Sequence, residues 1–305
     1  MGKENKEALQ VTKEIIVKFI ETQRISPSNF AEHFPAIYKI VLDTLEDNAT
    51  QDDTSERWKT LKNYLKQKTG TATDAHAAKV SGLFARIVKW YDPLNRLLSL
   101  GLDQGWRKCL ADAVLPGQAE GKRVLDLAAG TLDVTLAVRK RHPAVQVLAM
   151  DFCPPMLVHG QKKLSGEDKD FVLSVGADAR ALPLPDACMD GLTMAFGIRN
   201  IAPRSASFAE MARVLKPRGR ACILEFGTGK TRIWLGIYNF YLKRILPVVG
   251  RLSGDPGAYA YLARSIIEFP SADALSDEMR AAGFKRIYHI PLCSGIVCLH
   301  VAEKG

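Results

Sequence analysis

The sequence has 305 residues, of which 47% are hydrophobic and 25% are charged, the balance of an ordinary soluble globular protein. Lysine and arginine outnumber aspartate and glutamate by 42 to 33, which gives a formal net charge of +9 at pH 7. The six cysteines are too few for a disulfide scaffold and form no CxxC pair, so free thiols in a reducing compartment are predicted.

The start of the chain, MGKENKEALQ, lacks the apolar segment of a secretory signal. The longest uncharged runs, at 233–242 and 287–302, are shorter than the ~20 residues that a membrane-spanning helix needs. We therefore expect a cytoplasmic protein.

Residues 1–72 predict a helical extension, because apolar residues between 9 and 47 recur every three or four positions. The extension has 11 basic and 11 acidic residues, so the whole net charge belongs to the remaining part, with 31 basic against 22 acidic residues. Residues 9–47 faintly resemble the N-terminal helical segment of the Ros/MucR bacterial regulators. The Cys and His residues of the zinc finger in those regulators do not follow, so we do not expect DNA binding.

A second domain, 76–305, is predicted from an alternation of helices and strands. Helices are expected at 76–90, 95–113, 133–142, 154–163, 205–215 and 271–282, and strands at 123–128, 145–150, 171–175, 189–195, 221–226, 284–290 and 295–302. Such alternation predicts an α/β fold with a mostly parallel sheet covered on both faces. Ligands of these sheets bind at the carboxyl ends of the strands.

Polar residues stand at three successive strand ends. The first strand runs through Asp126 into a tight turn at Gly130, the second ends at Asp151, and Asp178-Ala179 follows the third. Small residues let the backbone approach a ligand closely, and the second carboxylate can accept both hydroxyls of a ribose. Each acid could equally cap a helix. Because no phosphate-binding lysine follows the turn, an acid-lined pocket favours the sulfonium S-adenosylmethionine over NAD or ATP.

Several motifs from about residue 80 to 304 resemble the UbiE/MenG family, the C-methyltransferases of ubiquinone and menaquinone biosynthesis. They are Tyr91-Asp92-Pro93-Leu94-Asn95, Val124–Asp133, ALPLPD at 181–186, FGIRN at 196–200, Arg213–Pro217, Tyr261-Leu262-Ala263, and Gly295-Ile296-Val297 with His300. The resemblance implies a class I S-adenosylmethionine-dependent methyltransferase, with a Rossmann-like seven-stranded sheet.

By the same resemblance, the cofactor would contact Thr131, Asp151, Asp178 and Ala179, beside Asp126 and Gly130 of the turn. Ala195 precedes FGIRN where the family often has a cofactor-binding serine. Other departures are Ala129 and Leu132 in the glycine turn, Asp103 in place of a histidine, Arg218, and Gly227. Leu132 raises the question of whether a branched side chain crowds the methionine half of the cofactor.

The substrate class implied by the resemblance is a polyprenyl quinol precursor, of the demethylmenaquinol or 2-polyprenyl-6-methoxy-benzoquinol type. Methylation of a ring carbon needs a deprotonated ring hydroxyl, which pushes charge onto the neighbouring carbon. Arg199 is the expected group that stabilises this phenolate, directly or by polarising a water. Tyr91 is the expected partner hydroxyl, and Asn200 positions the loop. Alternatively, Arg199 pairs with an acid and only fixes the loop.

Residues 230–262 combine aromatic and basic side chains in an amphipathic segment inserted after the fifth strand. The segment predicts a lid over the polyprenyl tail that contacts an anionic membrane at its inner face. Simple core packing is the alternative interpretation.

Three hypotheses remain from the sequence. The first is the C-methyltransferase, and the second is a catalytically impaired scaffold in a quinone-biosynthesis complex, to which the degenerate glycine turn points. The third, nucleic-acid binding, is disfavoured by the zero net charge of the extension. The sequence leaves undecided which quinol ring is methylated and whether the protein forms a homo-oligomer. No metal site is predicted.

Overall fold

The computed structural model describes residues 75–117, 119–227 and 256–305. The predicted extension at 1–72 and most of the predicted lid at 230–262 lie outside these residues. The division of the chain at about residue 72 therefore stays a prediction.

The helices of the described residues precede, separate and follow the strands. They are α1 (Ala75–Leu98), α2 (Asp103–Val114), α3 (Asp133–Arg141), α4 (Pro154–Gln161), α5 (Asp168–Phe171), α6 (Arg204–Val214), α7 (Pro256–Ile267) and α8 (Ala272–Ala281). Short 3₁₀ turns cover Ile198–Asn200 and Cys293–Gly295. The predicted break between helices at 90–95 was wrong, because α1 continues through Pro93 as far as Leu98.

Seven strands of the described residues form one sheet in the order β3-β2-β1-β4-β5-β7-β6. They are β1 (Arg123–Leu127), β2 (Gln146–Asp151), β3 (Val172–Gly176), β4 (Met189–Ala195), β5 (Leu215–Phe226), β6 (Phe284–Leu292) and β7 (Val297–Lys304). The first five strands pair in parallel, and β7 runs antiparallel between β5 and β6. The predicted α/β class with a seven-stranded, mostly parallel sheet is confirmed.

The central strands are buried on both faces, which explains why they read as continuous apolar runs rather than as alternating patterns. Val124, Val147 and Cys222 from three of these strands are completely buried in one core, together with Leu110 and Val114 of α2. Strand β5 begins at Leu215, six residues before the predicted start, because Leu215 already pairs with Met189 of β4. The register then shifts, and regular pairing resumes at Arg220, so the basic segment between them left no strand pattern in the sequence.

The strand order changes direction at β1. Strands β2 and β3 lie on one side of β1, and β4 and β5 lie on the other. Strand β2 pairs with one side of β1 and β4 pairs with the other, in the registers Asp126↔Ala149 and Asp126↔Thr193. Helices leave the two strands on opposite faces at such a point, which produces a crevice at the carboxyl ends. The acidic strand ends predicted from the sequence meet at this edge.

Candidate active site

A first cavity lies along the carboxyl ends of β1, β2, β3 and β4, with about 810 Å³ of unfilled space, which includes its opening to solvent. Helix α1 covers one side of it through His76, Ser81 and Phe84. The sequence-predicted residues in its lining are Tyr91, Gly130, Asp151, Asp178, Ala179, Ala195 and Asn200. These seven residues come from five separate segments of the chain, and the fold brings them together.

Asp151 is held at the end of β2 by backbone amides. Oδ2 accepts a hydrogen bond of 2.8 Å from the amide of Gly130, and Oδ1 accepts one of 2.7 Å from the amide of Cys153. Burial raises the pKa of this carboxyl, while the hydrogen bonds from Cys153 and Gly130 lower it. The glycine turn and the second acid of the sequence motif are therefore parts of one rigid structure.

The carboxylate of Asp178 is hydrogen-bonded to Arg180, which the sequence did not mark as a site residue. The guanidinium of Arg180 contacts both carboxylate oxygens, with Nη2 2.8 Å from Oδ2, and the Arg180 amide donates to Oδ1 at 2.8 Å. Nη1 of Arg180 also donates to the carbonyl of Ala202 across the cavity, at 2.7 Å. Arg180 thus lines the cavity and ties together two loops at its rim.

Asp126 and Thr131 do not line the cavity. Asp126 is buried beneath it and accepts hydrogen bonds from the hydroxyls of Thr135 (2.6 Å) and Thr193 (2.9 Å). Burial raises the pKa of Asp126 to about 6. Thr131 is buried too, and its hydroxyl donates to Oδ1 of Asp92 at 2.5 Å. Both residues hold together the elements around the turn.

Leu132 also points away from the cavity. It has a left-handed backbone conformation with φ of 66°, and its side chain is completely buried in the core beside α4. The lining of the first cavity at this turn comes from Leu127, Ala128 and Gly130.

A second cavity lies between α1, α2, α7 and the segment that carries FGIRN, with about 730 Å³ of unfilled space, which includes its opening to solvent. Its lining includes the apolar side chains of Leu83, Ile87 and Leu262 and the polar groups of Asn95 and Ser99. Phe84, Tyr91 and Phe196 line both cavities, so the two spaces meet at these three rings.

Arg199 lines the second cavity and is almost completely buried. Its Nη1 donates to Oε1 of Glu225 at 2.9 Å and to the carbonyl of Phe196. Glu225 is completely buried, and burial raises its pKa while the charge of Arg199 lowers it. Within the described residues, the buried Nε of Arg199 has no hydrogen-bond partner. The guanidinium is therefore held in place through Nη1, and its Nε can still donate a hydrogen bond.

The other two predicted catalytic residues lie near Arg199. The hydroxyl of Tyr91 is hydrogen-bonded to Asn95, and burial raises its pKa although the charge of Arg199 opposes this. Oδ1 of Asn200 accepts a hydrogen bond from the hydroxyl of Tyr261, at 3.1 Å. Tyr261 lines the second cavity, so Asn200 links this cavity with the first. In the sequence, Tyr261 belonged to one of the motifs of the family resemblance, and nothing marked Glu225 as a site residue.

A chain of ion pairs connects the second cavity with the glycine turn. Asp103, which lines that cavity, pairs with Arg107, and Arg107 lies 3.1 Å from Asp133 at the start of α3. Lys163 then bridges Asp133 (2.6 Å) and Asp92 (2.5 Å). Since Asp92 accepts the hydroxyl of Thr131, the chain fixes α1 and α2 to the turn. Among the described residues, no group of three or more His, Cys, Asp or Glu side chains could hold a metal ion.

The fold and the site together define the class I methyltransferase architecture, a Rossmann-like sheet with an antiparallel β7 and a ligand cavity at its parallel strand ends. A SAM-dependent methyltransferase from Thermotoga maritima, titled a possible histamine N-methyltransferase, has this fold. It is 16% identical with a TM-score of 0.53, and the match covers 74% of this chain and all of that one.

The model of the ubiE/COQ5 methyltransferase family matches residues 72–304, and the chain belongs to this family. It is 42% identical to a ubiquinone/menaquinone biosynthesis C-methyltransferase UbiE of Geobacter sulfurreducens over 229 residues, 74% of this chain and 89% of the relative. It is 41% identical to a demethylmenaquinone methyltransferase of Thermus thermophilus over 223 residues, 73% of this chain and 100% of that protein.

Proposed function

We propose that the protein transfers a methyl group from S-adenosylmethionine to a ring carbon of a polyprenyl quinol precursor in menaquinone or ubiquinone biosynthesis. The observation that carries this proposal is the junction of two cavities at Phe84, Tyr91 and Phe196. One cavity has the acidic strand ends, and the other has an arginine among aromatic rings. The family membership and the names of the two relatives support the reaction.

The residues of the first cavity fit S-adenosylmethionine. Asp151 accepts backbone hydrogen bonds from Gly130, Phe152 and Cys153. Its two oxygens offer about four acceptor sites, so one remains for a ribose hydroxyl. A Cβ on Gly197 would lie 2.6 Å from the Cβ of Ala128, so only glycine lets these two strand ends approach each other. Ala177, Asp178 and Ala179 line the end of the cavity that would take the adenine. Arg180 is hydrogen-bonded to the carboxylate of Asp178 at this end. The cofactor supplies an electrophilic methyl group on sulfur.

The second cavity would take the quinol ring. As the ring hydroxyl loses its proton to water, negative charge develops on the ring oxygen. The permanently charged guanidinium of Arg199 stabilises the resulting phenolate. Phe196 and Phe226, whose ring centroids are 4.9 Å apart, and Trp106 supply aromatic surface. Tyr91 stays protonated because burial raises its pKa, so its hydroxyl can hold a ring oxygen.

The polyprenyl tail would lie along the apolar side of the same cavity, against Leu83, Ile87 and Leu262. A substrate with such a tail resides in a membrane, and we propose that the protein works at the inner face of an anionic bilayer. No helix of the described residues is long and apolar enough to cross one.

The experiment supplies the purified protein with S-adenosylmethionine and, in parallel, with short-chain demethylmenaquinol and 2-methoxy-6-prenyl-1,4-benzoquinol, and analyses the products by mass. The proposal predicts the gain of one methyl group on ring carbon for at least one quinol. An Arg199→Lys variant should bind the cofactor normally in calorimetry but turn over more slowly. Cofactor binding without methylation of either quinol would contradict the proposal and favour the scaffold hypothesis.

A further inference from the structure

Helix α1 has a second side that neither cavity uses. Its inner face carries Leu83, Phe84, Ile87 and Tyr91, which line the second cavity. Residues spaced three or four positions apart along the other face, from Lys89 and Trp90 through Pro93 to Leu97, are exposed. The helix is thus a wall with the proposed quinol site on one side and solvent on the other.

The exposed face is unusually apolar for a surface. Trp90 is 56% exposed, Leu97 is 60% exposed, and in the turn after the helix Leu100 and Leu102 are 84% and 52% exposed. Eight large hydrophobic side chains are exposed in the described residues, and four of them lie between residues 90 and 102. A concentration of large apolar side chains on a surface marks an interaction site.

The charges around these side chains have one sign. Between residues 83 and 109 the two acids turn inward, Asp92 toward Lys163 and Asp103 toward Arg107. Lys89 and Lys108 are exposed on the surface. The combination of a tryptophan, leucines and lysines, without an exposed acid, is complementary to an anionic lipid surface, where aromatic rings sit at the level of the headgroups.

We propose that the outer α1 surface, formed by Lys89, Trp90, Pro93 and Leu97 of α1 and by Leu100 and Leu102 of the following turn, docks on an anionic lipid bilayer. This inference rests on the proposed function, because the bilayer would contain the polyprenyl quinol. Docking there places the cavity wall directly at the membrane.

The test measures co-sedimentation of the full-length protein with vesicles of equimolar phosphatidylglycerol and phosphatidylcholine. The double variant Trp90→Ala/Leu97→Ala should bind about tenfold more weakly, and Lys89→Glu about fivefold or more, with added salt reducing the latter difference. Tyr288→Ala/Ile290→Ala is the matched control, since those side chains on β6 are 48% and 42% exposed and should not affect binding. Thermal unfolding verifies that every variant is folded.

Activity separates this inference from the proposed function. The double variant should methylate a soluble short-chain quinol at the wild-type rate and a long-chain quinol in vesicles several-fold more slowly. Equal vesicle binding by wild type and both surface variants would overturn the docking inference, whereas methylation of the soluble quinol would still support the reaction. A wild-type dimer that the double variant converts to a monomer without lipid would assign the surface to a second copy instead. Failure to methylate any quinol, with vesicle binding intact, would overturn the reaction alone.

Discussion

Leu132 and Gly160 are packed so closely that each determines what the other position can hold. A Cβ on Gly160 would lie 2.6 Å from Cγ of Leu132 and 2.6 Å from the carbonyl carbon of Thr131. Helix α4 therefore approaches the turn that precedes α3 only because residue 160 is glycine. Leu132, which the sequence marks as a departure in the glycine turn, fills the core at this contact instead of the ligand cavity.

Replacing Leu132 with glycine should leave S-adenosylmethionine binding unchanged, because this side chain does not line the first cavity. The substitution removes a completely buried leucine and relieves the left-handed backbone of a non-glycine residue. The net loss of unfolding free energy should be about 1–4 kcal/mol. Urea unfolding and calorimetry measure the two quantities. A several-fold gain in cofactor affinity would show that Leu132 does crowd the ligand.

Replacing Gly160 with alanine should destabilise the protein by about 1–3 kcal/mol, because the new methyl group overlaps both Leu132 and the backbone of Thr131. Gly166→Ala is not a suitable control because its φ is +49°, whereas Gly105, whose Cβ would have nothing within 4 Å, is suitable. Gly105→Ala should raise the urea midpoint slightly, because Gly105 lies within helix α2 and alanine favours a helix over glycine by up to about 1 kcal/mol. Equal midpoints for the two variants would contradict the packing argument.

Replacing Glu225 with glutamine should lower kcat about 10- to 100-fold while the KM for S-adenosylmethionine stays constant. The neutral amide holds Nη1 of Arg199 more weakly, so the guanidinium loses its fixed orientation toward the second cavity. Glu303→Gln is the control, because Glu303 pairs with Arg220 and Arg286 on the same sheet away from the cavities. A parallel rise in KM for the cofactor would indicate general disruption of the site instead of loss of positioning.

Asp126 should make stability depend on pH between about 4 and 6. Its folded-state pKa of about 6 lies above its ordinary value of 3.8, so the folded protein binds more protons than the unfolded chain in this interval. Stability due to this group is complete below pH 4 and is lost as the pH rises through 6, by up to about 3 kcal/mol. Asp126→Asn should therefore gain stability relative to wild type as the pH is raised from 4 to 7.

Urea unfolding of wild type and Asp126→Asn at several pH values measures this difference. His300 has a pKa lowered to about 4 by burial and contributes the opposite slope in the same interval. Because it is present in both proteins, its contribution cancels in the difference. A difference that is constant between pH 4 and 7 would show that Asp126 does not titrate there.

Replacing Lys163 with methionine should loosen α1, because Asp92 and Asp133 lose the cation that joins them. We expect a loss of about 1–3 kcal/mol in unfolding free energy. Amide exchange in 76–84, the part of α1 that covers the first cavity, should become faster. Lys162→Met, at the exposed neighbouring position, is the control. Unchanged exchange in Lys163→Met would show that the ion-pair chain does not hold the helix.

Structural features that depend only on a residue and its neighbours in the chain could be predicted from the sequence. Strands β1 to β4 and the acids at their ends could be predicted because buried parallel strands leave continuous apolar runs. The role of Leu132 could not be predicted, since it depends on Gly160, 28 positions away on another helix. Glu225 and Arg180 were missed for a related reason, because contacts between distant parts of the chain leave no periodic pattern. Glu225 pairs with Arg199, 26 positions away, and Arg180 donates to the carbonyl of Ala202, 22 positions away.

The three rings shared by the two cavities limit how this enzyme can diverge. A change at Phe84, Tyr91 or Phe196 alters both cavities at once, so these positions can vary only in ways that both proposed ligands tolerate. Leu83, Ile87 and Leu262 face the second cavity alone and are free to change with the length or shape of the acceptor. Relatives that methylate different acceptors should therefore differ mainly at the positions of Leu83, Ile87 and Leu262. The three shared rings should differ less.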